Sequence, residues 1–440
     1  MKKRKVLKKE WNDRRTRKIQ FNMSKHHTKK IKSANAKEKI SQNNINLIDI
    51  FLNRHFVSKL KCGTKVKVNV PTDFTFCDNA DFSLDFLKKI VYLVSKKTLK
   101  QIFINHCNIN QISLSASLIL DLILMNAKSY VKDTKNRKSL DICGEVQSDT
   151  DVGVLIHANG VLPHLGFVVE KNPDVLTLDM LYGDATYGNT VDPASDILKY
   201  FSECLNTQGC SLTRKGKQAF GKMLGEVLDN CKLHSGENGK WYALGFFHNK
   251  KNKGICHIAI VTIGNTIYES LSRKNNVTEE TYNSLMRKTN EHKKYFDKTW
   301  NEEMLWTWLS LQHGVSRLRD SGIIKDSNRG MGTIDMMEAF QEIGKTTDGY
   351  KPVFTIISGN VIVKFDFEKY PVEHVYIKGE ERRIVTFNND KSLDKRPNSE
   401  NVKKINNFFP GVIYTMEFCI DPVFIENSKQ SYVRRAVVNE

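Results

Sequence analysis

The chain is 440 residues long, 40% hydrophobic and 10% aromatic, with 68 Lys+Arg against 49 Asp+Glu and a formal net charge of +19. This is an ordinary globular composition, long enough to bury a sizeable core in two domains. Its nine cysteines include no Cys-x-x-Cys pair, and Cys107, Cys143, Cys231, Cys256 and Cys419 stand among apolar neighbours, so they read as reduced thiols rather than a disulfide framework or a zinc site.

The charge is concentrated at the start. Residues 1–40, beginning MKKRKVLKKEWNDRRTRKIQ, hold 16 Lys+Arg and 3 Asp+Glu, a net +13 that leaves +6 for the rest of the chain. Too few apolar residues are present for this segment to fold alone, so it is expected to be a disordered basic tail. It is either simply solvated or attracted to nucleic acid through its phosphates. No apolar run follows the first residues, so no signal peptide is expected, and the most apolar stretch, Leu114 to Ala127, is interrupted by Asp121 and reads as a core helix about half the length of a membrane span. Both observations predict a cytoplasmic protein without a membrane segment.

Residues 41–189 are expected to form an α/β domain. Apolar residues recur at helical spacing over Ile45 to Leu60; a strand follows at Val66 to Val70, a helix at Asp81 to Thr98, and a buried strand at Lys100 to Asn105. SLSASLILDLILMNAKSY then reads as a helix opening at a serine cap. Gly, Pro and Asp accumulate over Asn159 to Asn189, which predicts a boundary near residue 190.

The second domain, residues 190–425, is expected to open with helices at Ala194 to Leu205 and Leu212 to Leu233, followed by strands at Trp241 to Phe247 and Ile255 to Ile263. Helices fill much of Thr278 to Leu318, and another begins near Gly332. Strands close the domain at Val353 to Ser358, Val361 to Phe367, His374 to Ile377, Arg383 to Phe387 and Val412 to Ile420, before a tail at residues 426–440. The element order as a whole predicts an α+β protein.

The helix GKMLGEVLDNCKLHSGENG carries Glu226, Asn230 and His234 at intervals of four, on one face, while Met223, Leu224, Val227, Leu228, Cys231 and Leu233 supply apolar contacts on the other side. An Asn oxygen is a neutral hard ligand suited to magnesium beside phosphate oxygens, and a carboxylate one turn earlier can deprotonate a nucleophile. The bland alternative is a solvated helix face. VTIGNTI follows at the end of the second strand, and RGMGT, Arg329 to Thr333, stands immediately before a helix, where free backbone N–H groups suit phosphate. His106, His157, His164 and His257 lack metal-ligand spacing and read as structural, and Trp300, Trp306 and Trp308 as packing residues.

Taken together, residues 190 to 420 resemble the GHKL ATP-binding superfamily of histidine kinases, gyrase B, Hsp90, MutL and anti-sigma-factor serine kinases, closest to the last. EVLDNCKLH matches its N-box, VTIGNTI its first glycine box and RGMGT its second. The resemblance implies a two-layer α/β (Bergerat) sandwich binding ATP and magnesium. Asn230 would hold the metal, Glu226 would be the general base with His234 in support, and Thr262, Gly264, Thr266, Arg329, Gly330, Gly332 and Thr333 would line the nucleotide site. Residues 268 to 328 would form a mobile lid. One departure stands out: the family's first box has an aspartate that accepts a hydrogen bond from the adenine amino group, and here Thr262 takes its place, with Thr266 in that of the second glycine.

KKTLKQIFINHCNINQISLSASLILDLILMNA is similar to the core of STAS domains, with Ser115 opposite the phosphorylated serine. A serine capping the helix is the alternative there. The two resemblances imply a regulatory or bacterial defence-type ATPase or serine kinase, with a protein partner and a homodimer expected. The alternatives are a nucleotide-gated interaction module with little hydrolysis, or a nucleic-acid-associated ATPase using the tail.

Overall fold

In the computed structural model, which describes residues 18–22, 46–135, 140–184, 191–250, 253–273, 277–312, 332–343, 345–377 and 380–425, the chain divides into two units, Met1–Asn172 and Pro173–Glu440. Parallel and antiparallel sheets occur beside many helices, so the fold is α+β, as the element order predicts.

The first unit runs β1 (Lys18–Asn22), α1 (Leu47–Asn53), β2 (Lys65–Asn69), β3 (Asp73–Phe74), α2 (Ala80–Val94), β4 (Gln101–Asn105), β5 (Gln111–Ile112), α3 (Leu114–Lys135), β6 (Asp141–Gln147), α4 (Asp151–Asn159) and α5 (Val161–His164). Its main sheet has the order β1-β6-β4-β2, with β2, β4 and β6 parallel and β1 antiparallel on the edge. Short apolar strands joined through helices suit such a sheet, and Ile102, Ile104 and Ile142 are fully buried in it. The helix α2 buries the stripe Leu84, Leu87, Ile90 and Val91 and packs against α3 and α1.

Two expectations change here. Residues 18–22 of the basic segment are a strand, paired from Lys18↔Gln147 to Asn22↔Cys143, because the partner edge supplies the hydrogen bonds that the segment cannot make alone. The apolar helix is longer than expected, and its Leu114–Val131 window, with mean hydropathy 1.3, meets the length and composition of a membrane span; 78% of that window is buried inside the protein. Ser113 Oγ caps this helix by accepting from the Ala116 N–H at 3.3 Å, while Ser115, the candidate phosphoacceptor, is fully buried and 3.3 Å from Ser113 Oγ. Midway along α3, Asp121 is buried against His164 Nδ1 at 2.8 Å.

The second unit begins earlier than residue 190, because β7 (Val175–Asp184) pairs with the next strand in its sheet. It continues α6 (Val191–Thr207), α7 (Arg214–His234), β8 (Lys240–Lys250), β9 (Lys253–Ile263), α8 (Ile267–Ser272), α9 (Glu279–His292), α10 (Glu302–Leu309), α11 (Gly332–Ile343), β10 (Val353–Lys364), β11 (Glu373–Ile377), β12 (Glu380–Ile384) and β13 (Val402–Ile420). The strands form a five-stranded antiparallel sheet in the order β10-β13-β9-β8-β7. Alternation along β9 sends Cys256, Ile258 and Ile260 to one face. There they pack with Ile197 and Phe201 of α6, Leu224 and Val227 of α7, and Met337 and Phe340 of α11. The two strands expected at Val353 to Ser358 and Val361 to Phe367 are one strand, bulged at Gly359.

Much of the expected lid is built into this core. Trp300, Trp306 and Trp308 are fully buried; Trp306 Nε1 donates to Thr289 Oγ1 at 2.7 Å and Trp308 Nε1 to the Val385 carbonyl at 2.9 Å. Indole burial of this size holds a helix in place, each ring removing roughly 150–250 Å2 from water. The remainder of the expected lid, residues 313–328, lies outside the described residues.

Candidate functional site

Thr213 caps α7, its Oγ1 accepting from the Gly216 N–H at 3.0 Å, and Met223, Leu224, Val227, Leu228 and Cys231 bury one stripe of the helix. Leu233, expected in that stripe, is 39% exposed because it lies on the far side of the turn. The position of Gly221 faces α6, where an added Cβ would stand 3.5 Å from Leu198. Glu226 and Asn230, both half-buried, flank the opposite edge of the stripe. The Lys222 ammonium is 4.0 Å from Glu226 Oε1. His234 is the last residue of α7, and its side chain lies outside the described residues.

That opposite edge faces α11. Phe220, early in α7, stacks on Phe201 at 4.7 Å, and Phe201 meets Phe418 at 5.8 Å; Phe340, late in α11, meets the same Phe418 at 5.3 Å. One turn earlier in α11, Met336 shares an apolar seam with Met223 and Leu224. The helices therefore run antiparallel, and the first turn of α11, with Gly332 and half-buried Thr333, is directed toward the half of α7 that holds Asn230. Arg329 and Gly330 lie outside the described residues.

The end of α7 is tied to the turn after β9. The Asn265 N–H donates to the Ser235 carbonyl at 2.9 Å, and the Gly264 N–H to the Pro410 carbonyl at 2.9 Å. Gly264 has φ +148°, and a Cβ there would lie 2.0 Å from the Ser235 oxygen, so only glycine permits the approach. Thr266, expected in the nucleotide site, is buried and serves as the N-cap of α8 in a capping box with Glu269, its Oγ1 accepting from the Glu269 N–H at 3.1 Å while Glu269 Oε2 accepts from the Thr266 N–H at 2.8 Å.

Thr262 is the register partner of Trp241 on β8 and Val412 on β13, near the end of the central strand. It is 3% exposed, with its hydroxyl buried in the core. The Cys231 thiol lies nearby; burial pushes that thiol up to about 11, and the Thr262 hydroxyl offsets part of the rise. Tyr414, buried on β13, is also pushed up, first by burial and then by Cys231. The structure thus ties the end of α7 to the turn after β9 through Ser235 and Asn265, and sets α11 along the helix that carries Glu226 and Asn230. Ser235 and Tyr414 are not singled out by the sequence, and Cys231 reads there only as a packing residue; the Ser-Gly step after the helix is the one local signal for Ser235.

The remaining histidines have structural settings. His106 is fully buried and pushed down to about 4 by that burial, and His257 Nδ1 is 3.3 Å from Glu417. A separate cleft of about 520 Å3 opens between α9, the end of α10 and the β11–β12 hairpin, with Lys288 and Lys391 on its walls. Lys288 pairs with Asp394 and with Glu291 at 2.8 Å, and Lys391 with Glu373 at 2.8 Å, so both cations are already matched by acids.

Comparison of the chain with protein-family models, with curated proteins and with solved structures finds no match.

Proposed function

We propose that the second unit binds Mg-ATP in the manner of the GHKL superfamily and transfers its γ-phosphoryl group to water or to a protein serine. The observation that carries the reading is the 2.9 Å bond from Asn265 to Ser235, which holds the Asn230 half of α7 beside the glycine turn of β9. The antiparallel start of α11 adds backbone N–H groups and a positive helix end for phosphate. Asn230 is half-buried and offers an uncharged oxygen, which fits a magnesium ion whose other ligands are triphosphate oxygens and water. Magnesium would neutralise charge on the phosphates. Glu226 would accept the proton of the attacking hydroxyl as its oxygen bonds to the γ-phosphorus; the bond to the β–γ bridging oxygen breaks and ADP leaves with that electron pair.

A second reading, nucleotide binding with little turnover, is favoured by Thr262, an uncharged group where an acid would anchor the base more strongly. Under either reading the protein acts in the cytoplasm as a regulatory or defence-type protein with a protein partner, and any nucleic acid would be met by the basic residues 1–40. Calorimetric titration of Mg-ATP into wild type and Asn230→Ala, with turnover measured in parallel, tests both. Wild-type binding that the variant loses supports the site, and turnover then separates the readings; no wild-type binding removes both.

A further inference from the structure

We propose that the cleft between α9, the end of α10 and the β11–β12 hairpin binds a free short peptide with aliphatic side chains, recognised through its two opposite terminal charges. The proposal stands apart from the Mg-ATP reading, because Glu226, Asn230 and Gly264 are not among the residues that line the cleft.

The walls of this cleft are anchored by residues that do not line it. Alternation along the hairpin sends His374 and Arg383 to α11, where they bond Glu338 at 2.9 and 2.8 Å, and turns Val375, Arg382 and Ile384 to the cleft. On the facing loop, Asn388 Nδ2 donates to the Ser392 carbonyl at 2.8 Å and His292 Nε2 to the Leu393 carbonyl at 2.9 Å. Gln312 donates to the Trp308 and Val385 carbonyls and accepts from the Val385 N–H, so its amide is committed to the fold. A cavity held in this way is pre-formed, and its volume of about 520 Å3 falls in the range of roughly 300–1,000 Å3 that holds drug-sized ligands, a dipeptide among them.

Its apolar floor is aliphatic: Leu285, Leu309 and Ile384 are buried there, Val375 and Leu393 border it, and no aromatic ring is among the described lining residues. The charged walls are balanced. Arg287, Lys288, Arg382 and Lys391 are set against Glu280 and Asp394 on the lining, with Glu291 and Glu373 behind, which makes four cations and four acids. Lys288, 20% exposed, bonds both Asp394 and Glu291, and Lys391 bonds Glu373. A ligand with a single charge that enters must break such a pair and leave one protein charge uncompensated. A ligand with one charge of each sign exchanges partners instead: its carboxylate takes a cation while its ammonium takes the acid so released, and every charge stays matched. A free peptide carries those two charges at the ends of one body, and aliphatic side chains suit the floor.

The test is calorimetric titration of the full-length protein with leucyl-leucine and with its N-acetylated, C-amidated and doubly blocked forms, for wild type, Ser284→Trp and Asn230→Ala. Wild type should bind the free dipeptide with a Kd below about 1 mM and each blocked form at least about tenfold more weakly. Ser284 is an exposed residue of α9 on the cleft wall, so Ser284→Trp fills the cleft with an indole and should abolish binding with Tm unchanged. Asn230→Ala should bind as wild type does. Should Ser284→Trp fail to fold, the blocked peptides and Asn230→Ala decide. Absence of saturation in wild type overturns the proposal, as does a blocked peptide that binds as tightly as the free one. Binding that persists in folded Ser284→Trp, or is lost in Asn230→Ala, places the peptide elsewhere and overturns it too.

Discussion

The backbone N–H of Asn265 donates to the carbonyl of Ser235 across 2.9 Å, joining two residues thirty positions apart at the meeting of a helix end and a strand end. That join holds the end of α7 against the glycine turn that follows β9. The carbonyl would otherwise be one of the unpaired acceptors at a helix C-terminus.

Replacing Gly264 is therefore expected to break the join. A methyl group at this φ of +148° meets the Ser235 oxygen at 2.0 Å, so Gly264→Ala should destabilise the protein by about 2–4 kcal/mol and lower nucleotide affinity. Urea denaturation beside calorimetry measures both; unchanged stability would mean that the turn relaxes freely.

Asn230 and Glu226 should separate binding from chemistry. Asn230→Ala is expected to weaken magnesium-dependent nucleotide binding by about ten- to a hundredfold, with stability unchanged because the side chain is half-buried and outside the apolar stripe. Glu226→Gln should keep binding and reduce turnover by about a hundredfold or more. Equal loss of binding in both would refute the assignment of Glu226 as base.

In the first unit, burial alone raises the Asp121 carboxyl, and His164 offsets part of that rise. Removing one partner strands a polar group inside α3. His164→Ala should cost about 3 kcal/mol, whereas the double replacement by leucine should cost much less. Chemical denaturation of the three proteins gives the comparison, and a double variant as unstable as the single would show that the pair itself stabilises the unit.

His374 ties the β11–β12 hairpin to α11: its Nδ1 is 2.8 Å from Glu381 and its Nε2 2.9 Å from Glu338, which Arg383 also binds at 2.8 Å. Glu381 and then Glu338 raise the His374 pKa above 6.5. Burial would raise the Glu338 carboxyl, but Arg383 and His374 bring it below its usual range. A raised histidine stabilises fully below the unfolded value and loses that contribution as pH rises through the folded value. Wild type should thus melt about 1 °C above His374→Ala at pH 5.5, with the gap closing by pH 8. A gap that widens with pH would mean that the neutral ring makes the contacts.

Elements that bury their own periodic stripe were legible in the sequence. The α7 stripe, the paired apolar runs of β8 and β9, and the start of α11 lie within a residue or a few of their expected places. Strands that depend on distant partners were not. In β6 the run Asp141, Ile142, Cys143, Gly144, Glu145 has no clean alternation, because a strand flanked on both sides takes its order from its neighbours. The edge strand β7 carries Asp179 and Asp184 among its apolar residues and reads as loop until β8 is beside it. At the candidate site, spacing within α7 identified Glu226 and Asn230. The role of Thr266 as a helix cap is masked by the likeness of VTIGNTI to a glycine box, although Glu269 three residues on is the usual sign of a capping box.

The pairing of Lys18–Asn22 with β6 changes how the basic segment should be handled in the laboratory. A deletion ending at residue 40 removes a sheet edge along with the charge, so lost RNA retention after such a cut would confound unfolding with missing cations. Stopping the deletion at residue 17 removes 9 of the 16 basic residues and leaves the edge strand whole. With that boundary, a change in nucleic-acid retention reports on charge alone.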